Sequence, residues 1–283
     1  MFTEKPITGR HRGSQHGPIT RLIDPSDLGD ALKPFVFLDF FNAPVQRGFG
    51  FGMHPHSGIA TLTWQPGCDV RYEDTTGQNG VLKAGGLEWM NAGGAAWHQG
   101  SFDTNGLATG FQLWVAMPPG IEDGEAFGQY IPPGEVQSTP LPGGELRILL
   151  GEYHAQNSNL QSPITSHQDM HYWVLTLAPH ATWQWHVPTQ HDVCWAFPFK
   201  GNVIFNRRAE ALELLTFGEG QSVQFLAGPE GAHILLGSAR KHPHPLVLGP
   251  SSVHTNKASL LAGHQRIREM GLTLQAQGRL TPR

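Results

Sequence analysis

The chain has 283 residues, among them 35 glycines and 22 prolines, and a formal charge of −4 with its 16 histidines counted neutral. A chain of this length can bury a core without disulfide staples, and its turn-rich composition points to an all-β protein. No cluster of lysine or arginine is dense enough to follow a phosphate backbone, so direct nucleic-acid binding is not expected, and no stretch is long and apolar enough to span a bilayer.

The two cysteines, Cys68 and Cys194, are too few for a disulfide framework. Cys194 lies in the apolar run 193–197, where a buried inert thiol is expected. Residues 1–17 have no apolar signal core, so a reducing, cytoplasmic setting is expected.

In chain order, Asp24-Pro25-Ser26-Asp27 reads as a turn or helix cap at the entry to the fold, and residues 35–41, aromatic and β-branched, read as a buried strand. Next comes Gly48-Phe49-Gly50-Phe51-Gly52-Met53-His54-Pro55-His56-Ser57-Gly58. Side chains alternate along a strand, so His54 and His56 project to one face and can reach one ion. Imidazole serves iron, copper, nickel and zinc alike, and His98, on a later strand, supplies a third ligand. The glycines suit backbone bordering a cavity, which Phe51, Met53 and Trp97 are candidates to line, although ordinary core packing explains such side chains as well.

Further strands are expected at 59–64, 69–74, 87–90 and 111–116, with a turn at 75–80, a spacing that suggests a barrel or sandwich. The segment 118–144 is broken by prolines and glycines. A second β series then runs through 146–150, 172–177, 182–186, 193–199, 201–205, 223–226 and 233–236. We therefore expect two similar units, 1–140 with the metal site and 141–240 without one, followed by a tail, 241–283, that docks back on them.

In the tail, Asn256 is placed to cap a short amphipathic helix over 257–270, with Leu260, Leu261, His264, Ile267 and Met270 on one face and Gly271 as its stop. His242-Pro243-His244 reads as a solvated loop. His186 and His191, separated by Pro188, lack a third partner and form no second site.

These residues resemble a known pattern. Gly48, five residues, His54-Pro55-His56, three residues, Ala60, six residues and Gly67 reproduce the spacing of the first cupin motif, with alanine at its acidic position. More narrowly, Phe51-Gly52-Met53-His54-Pro55-His56-Ser57-Gly58, Leu87-Glu88-Trp89-Met90-Asn91-Ala92-Gly93, His98 and Phe111-Gln112-Leu113-Trp114-Val115 are similar to the signature of the pirin family over about 34–118.

The resemblance implies a bicupin, two tandem cupin β-barrels, with one mononuclear non-haem metal, usually Fe(II), in the N-terminal barrel. His54, His56 and His98 carry over as ligands. The family's fourth ligand, a glutamate two residues after the third histidine, is replaced by Gly100. Glu88 and Asp103 are weak substitutes, Glu88 because no strand register readable from the sequence directs it inward. The expected site is a neutral three-histidine face whose metal could equally be Zn, Ni, Cu or Mn, or be absent from a degenerate barrel.

Three functions follow from the resemblance. The first is a metal-binding bicupin whose oxygen-dependent activity is impaired by the loss at position 100. The second is an oxidoreductase like quercetin 2,3-dioxygenase, acting on a small aromatic substrate. The third is a non-enzymatic regulator that binds a protein partner.

Overall fold

The structure is a computed structural model describing residues 3–155 and 158–280. Strands dominate it, and two α-helices are present among the described residues. The chain forms two compact units, one built from 15–135 with 242–280 and the other from 3–14 with 136–241. Both are cupin-type β units, so the protein is a bicupin, with sheets not fully closed by hydrogen bonds.

The unit that holds the three histidines has a seven-stranded antiparallel sheet and a four-stranded one. Central strands of the larger sheet, Phe35–Val45, Ile59–Trp64 and Gly106–Ala116, are buried along most of their length, which is why they read as nearly continuous apolar runs. Phe111 faces Phe40 on one neighbouring strand and Trp64 on the other, and the rings sit 5.1 Å and 6.3 Å apart. Cross-strand aromatic pairs of this kind fix register as well as adding buried area. The Pro66-Gly67 break is closed by Gln65, whose Oε1 accepts from the backbone N–H of Gly67 and of Cys68, both at 2.7 Å.

The smaller sheet runs in the order Gly50–His56, Ala96–Phe102, Val70–Asp74, Asn79–Leu82. It brings both histidine-bearing strands side by side, with His98 opposite His54. A register shift follows immediately, because Gly100 then faces Phe51.

The other unit packs Trp173, Leu175, Trp185, Phe225, Ile234 and Leu236 into one core. Two pairs of expected strands are each continuous here. Val193–Phe205 runs through register shifts at Pro198/Lys200 and Gly201/Val203, and Ser222–Ala239 is a single 18-residue strand. Gly201, at φ 66°, lets the first of these bend without ending. The strand Ile7–His11 pairs with Leu214–Phe217, which places residues 3–14 in this unit.

The C-terminal helix spans Lys257–Ala276, 20 residues, and is longer than expected. Asn256 caps it by accepting from the Ser259 N–H at 2.9 Å. Gly271 does not stop it: a Cβ there would lie 3.1 Å from the Trp97 ring, so this glycine permits close packing instead of a turn. Leu260 is buried but Leu261 is exposed, so the apolar stripe is narrower than the sequence suggested. Asp27 precedes a short helix, Leu28–Leu32, while Asp24 binds Ser26 in the turn before it. No helix among the described residues is long and apolar enough to cross a membrane.

Candidate metal centre

His54 and His56 lie on the strand Gly50–His56, and His98 lies on Ala96–Phe102. Ring centroids are 5.0 Å apart for His54 and His56, 4.5 Å for His54 and His98, and 5.0 Å for His56 and His98. One nitrogen from each ring falls within 4.8 Å of the others, and this is the one such grouping of three potential ligands found among the described residues.

The hydrogen bonds decide which nitrogen is free. Nδ1 of His54 donates to the carbonyl of Gly52 at 2.7 Å, and Nδ1 of His56 donates to the carbonyl of Ser251 at 3.0 Å. A carbonyl can only accept, so both Nδ1 atoms carry the proton and both Nε2 atoms carry the lone pair. His98 Nδ1 is 2.9 Å from Glu88 Oε1, which assigns the same tautomer. The Nε2 atoms of His56 and His98 are buried and have no hydrogen-bond partner. A buried polar atom without a partner calls for an explanation, and a shared cation supplies one.

The electrostatics agree. Burial pushes His54 down to about 4 and His56 well below the ordinary imidazole range, with repulsion among the rings adding to it. Neutral rings are the metal-binding form. Burial also opposes ionisation of Glu88, but its bonds to His98 and Thr63 outweigh that and hold the carboxyl below its usual range.

Glu88 therefore has a role the sequence did not reveal. It stands behind His98 and orients the ring, as carboxylates commonly do behind metal-bound histidines. The signal available was a lone carboxylate inside the wholly buried strand Leu87–Asn91. Ser251 left no such signal, since its contribution is a backbone carbonyl 195 residues away in sequence. Asp103 stays outside the site, paired with Arg47 and Arg71.

A cavity of about 60 Å³ adjoins the cluster. Phe41, Phe51, Val70 and Phe102 form its apolar wall, and His54, Glu88, His98 and Gly100 line it too. Met53 and Trp97, expected to line it, lie outside that wall, because they alternate with His54 and His98 and so point to the opposite faces of their strands. Trp97 instead donates its indole N–H to the carbonyl of Ile267 at 3.2 Å. Trp114 stacks on Phe37 at 4.1 Å and meets the His56 ring edge at 5.0 Å.

The remaining histidine pairs form no three-ligand cluster among the described residues. His242, expected in a solvated loop, is buried. His191 is buried between Ser238 and Asp169, whereas His186 is exposed, so the two do not share an ion.

The comparisons with known proteins agree with this geometry. The Pirin family model matches residues 18–115. A Pseudomonas aeruginosa protein named "Putative quercetin 2,3-dioxygenase PA2418" is 28% identical over 59% of this chain and 61% of its own length. The first three curated relatives are matched over only 47% to 61% of their lengths.

Among solved structures, a quercetin 2,3-dioxygenase from Acinetobacter baumannii superposes with a TM-score of 0.83 at 23% identity, covering 94% of this chain and 97% of that one. Pirin YhhW of Escherichia coli in complex with nickel(II) gives 0.60 at 19% identity, covering 83% and 96%. At these identities the superpositions speak for the fold. With the Pirin match over the histidine strands, the cupin architecture and a three-histidine cluster able to hold a divalent metal, the histidine-bearing unit of this chain is similar to the pirin family.

Proposed function

We propose that His54, His56 and His98 hold one divalent metal ion, Fe(II), through their Nε2 atoms, and that the protein is a pirin-type metal-binding bicupin of little or no flavonol dioxygenase activity. The observation that supports this most is the pairing scheme: each Nδ1 is engaged, and the Nε2 atoms of His56 and His98 are buried without partners. An imidazole set accepts any late first-row divalent ion, so the choice of iron rests on the family resemblance.

Iron held in this way would supply oxygen activation. The chain's own residues limit what accompanies it. Position 100 offers no carboxylate to take the proton of a flavonol hydroxyl, and the carboxylate of Glu88 is already bonded to His98 and Thr63. A quercetin 2,3-dioxygenase activity is the second reading, supported by the apolar cavity beside the cluster and by the printed names of relatives. A regulator that acts through a protein partner is the outcome if metal is bound but oxygen is never consumed. The two free cysteines, both buried, suit a reducing cytoplasm.

The test is metal analysis of protein purified after iron supplementation, beside a His98→Ala variant. About one metal ion per chain in the wild type and its loss in the variant is the expected result. A wild-type protein that binds no divalent metal with its three histidines intact refutes the proposal. Oxygen uptake with a flavonol panel separates this reading from the quercetin 2,3-dioxygenase one.

A further inference from the structure

Positions 96, 98, 100 and 102 share the inward face of the strand Ala96–Phe102, because its pairing with Val70–Asp74 is unbroken from His98 to Phe102. Three of these positions carry buried side chains, and the fourth is Gly100. Nothing local demands glycine there. A Cβ at 100 would make only ordinary contact, 3.5 Å from Val70 Cγ1, and its φ is not left-handed. Gly50, across the sheet, shows the contrast: a Cβ on it would meet the Gly100 carbonyl at 2.1 Å. Gly50 is a packing necessity, and Gly100 is an opening into the cavity beside His54 and His98.

Charge decides what that opening favours. Three imidazoles bring no charge of their own, so a divalent ion held by them keeps its full charge. That charge lies against a wall of Phe41, Phe51, Val70 and Phe102, where net charge is costly to bury, and an anionic ligand reduces it. No lysine or arginine lines the cavity, so without the metal nothing there draws an anion.

We propose, building on the three-histidine reading above, that the side-chain-free position at Gly100 is the subsite for a monoanionic organic carboxylate with a compact apolar body, bound only when the histidines hold a divalent metal. The carboxylate sits beside the cluster and the apolar body lies against the phenylalanines.

Benzoate is the probe, titrated by calorimetry into Co(II)-loaded protein after cobalt binding has been established from its visible absorption. Benzoate should bind the loaded wild type at least tenfold more tightly than the metal-free protein, and benzamide, uncharged but of the same shape, should bind at least tenfold more weakly. Gly100→Glu should keep cobalt and lose at least tenfold in benzoate affinity, while Gly100→Ala stays within about threefold of wild type. Equal benzoate binding with and without metal, equal binding of benzamide, or undiminished binding by a cobalt-loaded Gly100→Glu overturns the subsite and leaves the metal centre standing. A wild type that takes up no cobalt removes the metal centre and the subsite with it.

Discussion

Replacing Glu88 isolates what the buried carboxylate contributes to the histidine cluster. The His98 and Glu88 side chains are 5% and 10% exposed and meet at 2.9 Å, a buried hydrogen bond with an ionised acceptor. Such bonds contribute about 1.5–3 kcal/mol, and loss of a carboxylate behind a metal-bound histidine typically lowers metal affinity about 10- to 100-fold. Glu88→Gln keeps an oxygen that can accept from His98 Nδ1–H and loses only the charge, so its affinity should fall by about tenfold. Glu88→Ala removes the acceptor as well, so a fall of about 100-fold is expected. In the metal-free protein it leaves the His98 N–H unpaired at a further cost of about 1–3 kcal/mol in stability. Competition against a chromophoric chelator gives the affinities, and thermal unfolding of the metal-free proteins gives the stabilities. An alanine variant that holds metal as tightly as the wild type would show that Glu88 does not orient His98.

The low protonation points of the buried histidines give the metal-free protein a pH dependence of defined sign. His54 is held at about 4 and His171 at about 3, while an unfolded histidine takes a proton near 6.5. Below about pH 6.5 the unfolded chain therefore binds more protons, and stability should fall by up to about 1.4 kcal/mol per pH unit for each such histidine until its folded value is reached. Urea unfolding at pH 7, 6 and 5 measures this, and a midpoint that does not move counts against the buried neutral rings. Burial also pushes the Cys194 thiol up to about 12, so it should resist thiol reagents in the native state and react on unfolding; rapid native labelling at that residue would contradict its burial.

The two strongest features of the sequence, alternation along short strands and two histidines two residues apart, translate directly into geometry because both follow from the strand period. His98 was named from the sequence as a distant third histidine, but its place opposite His54 was not readable, since nothing between 91 and 98 fixes its register. Glu88 and Ser251 were not readable as partners of the cluster. One acts from the other sheet and the other through its backbone, and neither leaves a spacing in the sequence.

The misread helix end has the same origin. Gly271 carries a local signal for termination, but tertiary packing against Trp97 uses the glycine for its size. The strands 193–205 and 222–239 were divided at bends that a sheet can absorb by shifting register. His242 was assigned to solvent from its proline neighbours, yet it is buried.

The tail also bears on how the metal centre is built. The carbonyl that fixes the tautomer of His56 belongs to Ser251, in the left-handed turn between the short strands Val247–Gly249 and Ser252–His254. Immediately beside it, Ser57 Oγ bonds Ser252 Oγ at 2.9 Å and lies 3.0 Å from His254 Nε2, all fully or nearly fully buried. Glu122 then accepts from the N–H and hydroxyl of Thr255, both at 2.6 Å, just ahead of the helix cap. The helix returns over Trp97, the neighbour of His98. Both histidine strands are thus held from behind by residues 251–271, and among the described residues the Ser251 carbonyl is the hydrogen-bond partner that determines which nitrogen of His56 carries the lone pair. A site that needs three Nε2 atoms turned to one point requires that choice to be made three times, and here it is made by a neighbouring backbone carbonyl, by a buried carboxylate and by the tail.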